Sequence, residues 1–310
     1  MNEKITVLCV VGPTASGKTA LGARLARTLG GEVVSADSMQ IYRGMPIASA
    51  VPSAEEMLGV PHHLIEFADP DTEFTVADYT SAAKRTISDI SSRGRLPVIV
   101  GGTGLYVNSL IDNIEFIKQE NDPALRERLA AEYRESGGKA MLEKLRLTDP
   151  ETADKLHAND EKRIIRAFEI QALTGSTVSR QNMLSRRNGS PYRPVMIGIT
   201  YRDRAVLYGR IDRRVDTMLE NGLLDEAYAD FTRGGSGTAV QAIGHKELYP
   251  YFRGEVSPEQ AVESLKRATR RYAKRQLTWF RRDERIHWIF ADETQNVLDE
   301  ALKIFKEETV

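Results

Sequence analysis

Two kinds of apolar run alternate along this chain. Residues 5–11 (ITVLCVV) are almost continuously apolar and β-branched, preceded by charge and ended by Gly12, as in a strand buried on both faces. ALGARLARTLGG follows, with Leu21, Leu25 and Leu29 four residues apart and glycine at its end, which predicts an amphipathic helix. GEVVSADS then reads as a short strand ending at Asp37, TVADYTSAAKRTISDISSRG as a helix stopped by Gly94, and LPVIVGGTG as a strand running into glycines. Strand, glycine turn, helix and strand in this order predict an α/β fold with a parallel sheet flanked by helices.

The texture changes near Glu115. Residues 115–190 are charged and helix-favouring, with no convincing strand, and the strand pattern returns at Pro194 with VMIGIT and again with IHWIFAD over 286–292. The simplest organisation is an α/β core formed by residues 1–114 and 196–310, interrupted by an all-helical insertion over 115–195. A last helix is announced by Ser257-Pro258-Glu259-Gln260, which combines an N-cap, a proline at the first helical position and a capping box. Leu265, Ala268, Tyr272, Gln276 and Trp279 should share its packed face, with most of the basic residues opposite.

Composition narrows the class. Of the 310 residues 41% are hydrophobic and 28% charged, enough to bury a core and inconsistent with a wholly disordered chain. The first apolar run is too short to span a bilayer and lacks the cleavage site of a signal peptide. The one cysteine, Cys9, excludes a disulfide framework or a cysteine-rich zinc site. A cytoplasmic setting is therefore expected. Net charge is only −1, which alone argues against a nucleic-acid partner. Its distribution argues the other way: residues 264–282 carry eight Lys/Arg and no acid, and 176–193 carry Arg180, Arg186, Arg187 and Arg193 without an acid.

The chemistry starts at Gly12-Pro13-Thr14-Ala15-Ser16-Gly17-Lys18-Thr19, a G-x-x-x-x-G-K-[ST] loop between a strand and a helix. Backbone N–H groups and the helix dipole would cradle a phosphate or pyrophosphate, with Lys18 on its oxygens and the Thr19 hydroxyl on a magnesium ion. The third strand ends in Gly101-Gly102-Thr103-Gly104 and not in the carboxylate that a nucleotide hydrolase of this kind would place there. Asp37 is the carboxylate nearest the loop in this topology, and it suits proton abstraction from an acceptor or, equally, a turn cap. Arg210-Ile-Asp-Arg-Arg214 should open a helix, from which an arginine could clamp the pyrophosphate.

GPTASGKT, SADSMQIYRGM, GVPHHLI, GGTGLY, LHANDEKRIIRA, RIDRRVDTML, QAIGHKEL and RRYAKRQLTWFRR, in this order, resemble the bacterial tRNA dimethylallyltransferases of the IPP transferase family. The resemblance implies a P-loop NTPase-like core and transfer of the dimethylallyl group of dimethylallyl diphosphate to N6 of the adenosine 3′ of the anticodon. It implies that Gly12 to Thr19 hold the diphosphate with magnesium, that Arg214 neutralises charge on the departing oxygen, and that Asp37 takes the amine proton. Thr103 would line the tunnel that admits the adenine. Ser38, Met39 and Gln40 would contact neighbouring nucleotides. Lys162, Arg163 and Arg166 would grip the anticodon arm, and the Gln241–Lys246 loop, with Gly244 and His245, would face the tRNA. A monomer without a membrane anchor is expected.

The chain departs from that pattern twice. Where the family usually continues Gly-Thr-Ala-Lys-Pro, this sequence has Pro46-Ile-Ala-Ser-Ala-Val51-Pro52, which keeps a hydroxyl at Ser49 and loses the lysine charge. His245 stands where tyrosine is more usual. His62, His63 and His157 have no cysteine partners and need only structural roles. Prenylation of a free adenine nucleotide, a small-molecule P-loop kinase, or a non-catalytic RNA-binding protein with a nucleotide switch would also use the P-loop. The helical insertion and the two basic tracts favour a macromolecular acceptor.

Overall fold

The computed structural model describes residues 4–116, 122–234 and 238–310. Contacts divide the chain into two compact units, one running to Ile111 and resuming at Pro191, the other Asp112–Ser190. The first begins with β1 (Ile5–Val11), α1 (Lys18–Leu29), β2 (Gly31–Ser35), the short α2 (Pro46–Ser49), β3 (His62–His63), α3 (Val76–Ser92), β4 (Leu96–Gly101) and α4 (Gly104–Ile111). The second contains α5 (Pro123–Thr148), α6 (Pro150–Ala153), α7 (Glu161–Thr174) and α8 (Val178–Ser185), with no strand among its described residues. The first unit then resumes with β5 (Tyr192–Thr200), α9 (Arg204–Glu220), α10 (Leu223–Arg233), α11 (Tyr249–Phe252), α12 (Pro258–Phe280), β6 (Ile286–Phe290) and α13 (Val297–Thr309).

The six strands form one parallel sheet in the order β3-β2-β4-β1-β5-β6, the P-loop NTPase-like arrangement. Successive side chains of β1 point to opposite faces. Val7, Cys9 and Val11 join Ile87 and Ile90 of α3 and Leu110 of α4, whereas Leu8 and Val10 join Leu21 and Leu25 of α1 and Ala301 of α13. Burial on both faces explains the unbroken apolar runs. It also pushes the Cys9 thiol up to about 12, so it is an inert core group. β5 begins at Tyr192, ahead of the apolar run that marks it in sequence. Pro194 is tolerated there because only β1 flanks that end, β6 first pairing at Met196.

The helical unit has its own core, in which Leu125, Leu129 and Ile165 pack together and Leu145, Ala153 and Ala167 form a second cluster. α5 bends at Gly137, where φ is +78°, a value glycine adopts without Cβ strain. Beyond the bend Lys144 reaches back to Glu132 at 2.6 Å. Among the described residues no helix is long and apolar enough to cross a membrane.

Candidate active site

The loop between β1 and α1 is shaped by backbone that few side chains tolerate. Gly12 has φ +151°, and a Cβ there would lie 2.3 Å from the carbonyl oxygen of Ile199. Ala15 holds φ +61°, uncommon for a residue with a Cβ. Three contacts from distant elements brace the turn. The Thr14 N–H donates to Gln276 Oε1 at 2.8 Å, Arg210 Nε donates to the Ala15 carbonyl at 3.0 Å, and the Tyr201 hydroxyl reaches the Ser16 carbonyl at 3.4 Å. The first N–H groups of α1 have no partner within the helix, so the loop ends in donors oriented for an anion.

The Gly101–Gly104 turn stands beside this loop, and its glycines are explained by close approach. A Cβ on Gly101 would meet the Ala36 carbonyl oxygen at 2.1 Å, one on Gly102 the Gln276 amide at 2.1 Å, and one on Gly104 the Trp279 ring at 2.1 Å. Gln276 is thereby the clamp of the site. It accepts from Thr14 and donates to the Gly102 carbonyl at 3.0 Å, tying the P-loop to the end of β4. Sequence reasoning placed Gln276 on the packed face of its helix without a role. A lone amide on an otherwise apolar stripe was the available signal.

Asp37 lies two residues beyond β2, half-buried, with one carboxylate oxygen accepting from the Met39 N–H at 2.9 Å. Thr103 holds this turn from behind. Its hydroxyl accepts from the Ser38 N–H at 3.0 Å and donates to Ser38 Oγ at 3.3 Å. Thr103 is thereby tied to the residue next to Asp37, on the turn whose Gly101 lines the cavity that Asp37 faces.

That cavity has a volume of about 240 Å³ and brings together Thr14, Lys18, Thr19, Asp37, Ser38, Met39, Gln40, Arg214, Gln241, Gly244 and Lys246. Within the loop, Lys18 Nζ donates to the Pro13 carbonyl at 3.3 Å. Burial lowers the Lys18 ammonium to about 8, with the Asp37 carboxylate opposing the shift and Arg214 adding to it. Burial likewise lowers Arg214, partly offset by Asp37 and Glu56. Two poorly solvated cations thus face one carboxylate across a cleft, a balance that an incoming anion would complete. The three arginines of RIDRR lie in the middle of α9 and do not open it. Helical spacing sends them apart: Arg210 braces the P-loop, Arg213 is exposed, and Arg214 faces the cavity.

The opposite wall is assembled from α2 and the segment around residues 241–246. Gln40 links α2 to the sheet: it accepts from Ser35 Oγ at 2.8 Å and donates to the Ala50 carbonyl at 2.9 Å. Lys246 donates to the Gln241 carbonyl at 2.8 Å. His245 does not face outward. It is 1% exposed, and its ring nitrogens lie 2.9 Å from Glu226 and 3.2 Å from Asp230. Its side chain is therefore inaccessible to a nucleic acid. His62 lines the cavity, its ring held by the Val60 carbonyl at 2.9 Å and its pKa lowered by burial.

The basic helix is real, capped by Ser257 and Gln260 as the motif predicts. Its packed stripe is Leu265, Thr269, Ala273, Gln276 and Phe280, one position off the expected Ala268. Its charge is less free than the sequence suggests. Because α9 lays its acids alongside, Lys266 pairs with Asp216 at 2.5 Å and Arg270 with Asp212 at 2.6 Å, and Arg270 also pairs with Glu263 of its own helix at 2.8 Å. Arg267, Arg271 and Lys274 remain exposed, and Arg275 reaches the cavity. On the helical unit, Lys162 and Arg163 are exposed on α7, whereas Arg166 shares Glu169 with Arg126. Among the described residues no cluster of three or more His, Cys, Asp or Glu is positioned to hold a metal.

Comparison with known proteins gives the site its context. The model of the IPP transferase family matches residues 40–283. A tRNA dimethylallyltransferase of Halalkalibacterium halodurans is 50% identical over 93% of this chain and 91% of its own length, and one of Bacillus subtilis is 46% identical over 93% and 91%. Among solved structures, the full-length tRNA isopentenylpyrophosphate transferase of Bacillus halodurans shares 46% identity over 99% of this chain and 95% of its own, with a TM-score of 0.71. A eukaryotic dimethylallyltransferase acting on tRNA superposes with a TM-score of 0.81 at 27% identity, over 98% of this chain and 79% of its own. With the family model spanning most of the sequence and relatives near half identity over almost all of it, the chain belongs to the IPP transferase family.

Proposed function

We propose that this protein transfers the dimethylallyl group of dimethylallyl diphosphate to N6 of the adenosine 3′-adjacent to the anticodon of tRNA, releasing diphosphate. The observation that carries this reading is a single cavity with a phosphate cradle on one side and Asp37 facing it, in a member of this family. The P-loop N–H groups, Lys18 and Arg214 bind the diphosphate and stabilise the negative charge that grows on it as the allylic C–O bond breaks. The N6 amine attacks the allylic carbon, forming the C–N bond, and its proton passes to the Asp37 carboxylate. Thr103, tied to Ser38 beside that carboxylate, lines the path by which the adenine enters. An adenine stacked in an anticodon loop cannot present its amine inside a protein, so it must be extruded into the cavity.

The donor set suits magnesium held lightly. Thr19 lines the cavity beside the cradle, and a Mg²⁺ ion bound by that hydroxyl and by diphosphate oxygens, keeping its waters, needs no carboxylate cluster. When bound, the ion would neutralise charge on the leaving group. Around the extruded base we assign Ser38, Met39, Gln40, Gln241, Gly244 and Lys246 to the neighbouring nucleotides, and exposed Lys162 and Arg163, with Arg166, to the backbone of the anticodon stem-loop.

The test is mass spectrometry of nucleosides from unmodified tRNA incubated with the protein, magnesium and dimethylallyl diphosphate, with AMP and ATP as parallel acceptors. Adenosine in tRNA should gain one dimethylallyl group while the free nucleotides stay unlabelled. Labelled AMP with silent tRNA would reassign the acceptor, and no transfer to any of them would defeat the reading.

A further inference from the structure

One buried polar cluster has no part in the chemistry above. Glu226 of α10 is a carboxylate with three close polar partners. Its Oε2 accepts from the Ile47 N–H at 2.8 Å, and its Oε1 accepts from the Ala48 N–H at 2.9 Å and faces His245 Nε2 at 2.9 Å. His245 Nδ1 faces Asp230 Oδ2 at 3.2 Å, and that oxygen also accepts from the Tyr249 hydroxyl at 2.5 Å. Arg233 pairs with the other oxygen of Asp230. The side chains of His245, Glu226 and Asp230 are 1%, 8% and 7% exposed. A neutral imidazole has one N–H, so its second nitrogen would point a lone pair at a carboxylate. The doubly protonated ring satisfies both acceptors and, with Arg233, balances the two acids.

The cluster joins the two segments that form the acceptor-side wall. α2 has only four residues, and its N-cap, Met45, offers no side-chain acceptor. A helix that short does not hold itself, and the Glu226 carboxylate supplies the cap. Ala48, Ser49 and Ala50 line the cavity, as do Gln241, Ile243, Gly244 and Lys246. The two segments approach so closely that a Cβ on Gly244 would lie 3.1 Å from that of Ala48. The α2 segment and His245 thus meet at Glu226.

We propose that Glu226 and a doubly protonated His245 form a latch that fixes α2 against the Gln241–Lys246 segment and so sets the width of the cavity on its acceptor side. His245 is then a positioning residue for the nucleic-acid acceptor, without influence on the diphosphate side. The inference rests on the function proposed above for its kinetic consequence, though the latch itself can be read without turnover.

The experiment compares the wild-type protein with His245→Gln and Glu226→Gln. In His245→Gln the KM for tRNA should rise by about tenfold, the scale of a displacement of less than 1 Å in a supporting wall. The kcat, the KM for dimethylallyl diphosphate and the affinity for magnesium pyrophosphate should stay within about twofold. Amide exchange at Ile47 and Ala48 should accelerate in both variants. In the wild type, ¹⁵N NMR at neutral pH should show both His245 nitrogens protonated. An unchanged KM for tRNA in a folded His245→Gln protein would overturn the proposal, as would equal rises in both KM values with a lowered melting temperature, or one unprotonated His245 nitrogen. If His245→Gln does not fold, the wild-type NMR and Glu226→Gln decide. Should the wild type fail to modify tRNA, the proposed function falls, and amide exchange and NMR still judge the latch.

Discussion

The cavity has two walls built on different principles. The phosphate side is mostly backbone: a glycine-shaped loop, the end of a helix and a second glycine turn, all within a few residues of the sheet's carboxyl edge, where open α/β folds bind ligands. The acceptor side is mostly side chains reaching across the sequence, Gln40 to α2, Glu226 to α2 and His245 to α10. Backbone geometry is fixed by local residues and tolerates little substitution. A side-chain lattice is tuned by single exchanges. The contrast fits the proposed division of labour, since a diphosphate is always the same ligand whereas an RNA loop has to be fitted.

Asp37 stands between the walls, and its replacement is the severest way to separate binding from chemistry. In Asp37→Ala, transfer to tRNA should fall by about 10²- to 10⁴-fold, measured under single-turnover conditions, while calorimetry should show magnesium pyrophosphate bound as before. Survival of full activity would remove Asp37 from the mechanism. Lys18→Ala should act on the phosphate wall alone. Loss of one charged hydrogen-bond donor is worth roughly 1.5–3 kcal/mol, so pyrophosphate affinity should drop about ten- to a hundredfold with the fold intact by circular dichroism.

The lowered Lys18 gives that wall a pH signature. Its ammonium loses its proton near pH 8 in the free protein, and a bound polyanion favours the charged form. Binding must therefore take up a proton above pH 8 and none below it. Pyrophosphate affinity, referred at each pH to that of Lys18→Ala, should be flat below pH 8 and fall by up to about tenfold per unit above it. A ratio that stays flat to pH 10 would mean that Lys18 does not meet the anion. The smallest effect should come from Ser257→Ala, which uncaps α12. That helix serves both walls, through Gln276 and Arg275 near the P-loop and through Leu265 and Thr269 further back. The loss of about 1 kcal/mol should lower the melting temperature and leave the preference between ligands unchanged.

Much of the phosphate side was legible. The P-loop, the strands that carry it, the position of Asp37 after the second strand and the Ser257 capping box all depend on residues within one or two turns of each other. Of the three arginines in RIDRR, Arg214 lines the cavity, and its helix starts earlier than the motif suggests. The bond between Thr103 and Ser38, sixty-five positions apart, was not legible, because only the packed sheet brings their two turns together. The basic run from Ser264 is less free than it reads, since Asp216 and Asp212 on α9, invisible to a count along α12, pair with Lys266 and Arg270, and Glu263, one position before the run, pairs with Arg270 as well.

By itself, then, the sequence determined what short-range physics controls: β-branched runs that must be buried on two faces, glycines where the chain turns sharply, a cap at a helix start, and a phosphate loop between strand and helix. Tertiary structure alone decided which polar side chains meet. Gln276 became a clamp and Glu226 a cap for α2, and His245 went inward to two carboxylates. A hydrogen bond requires partners within about 3 Å, and only the packed sheet and its helices bring residues so distant in sequence that close.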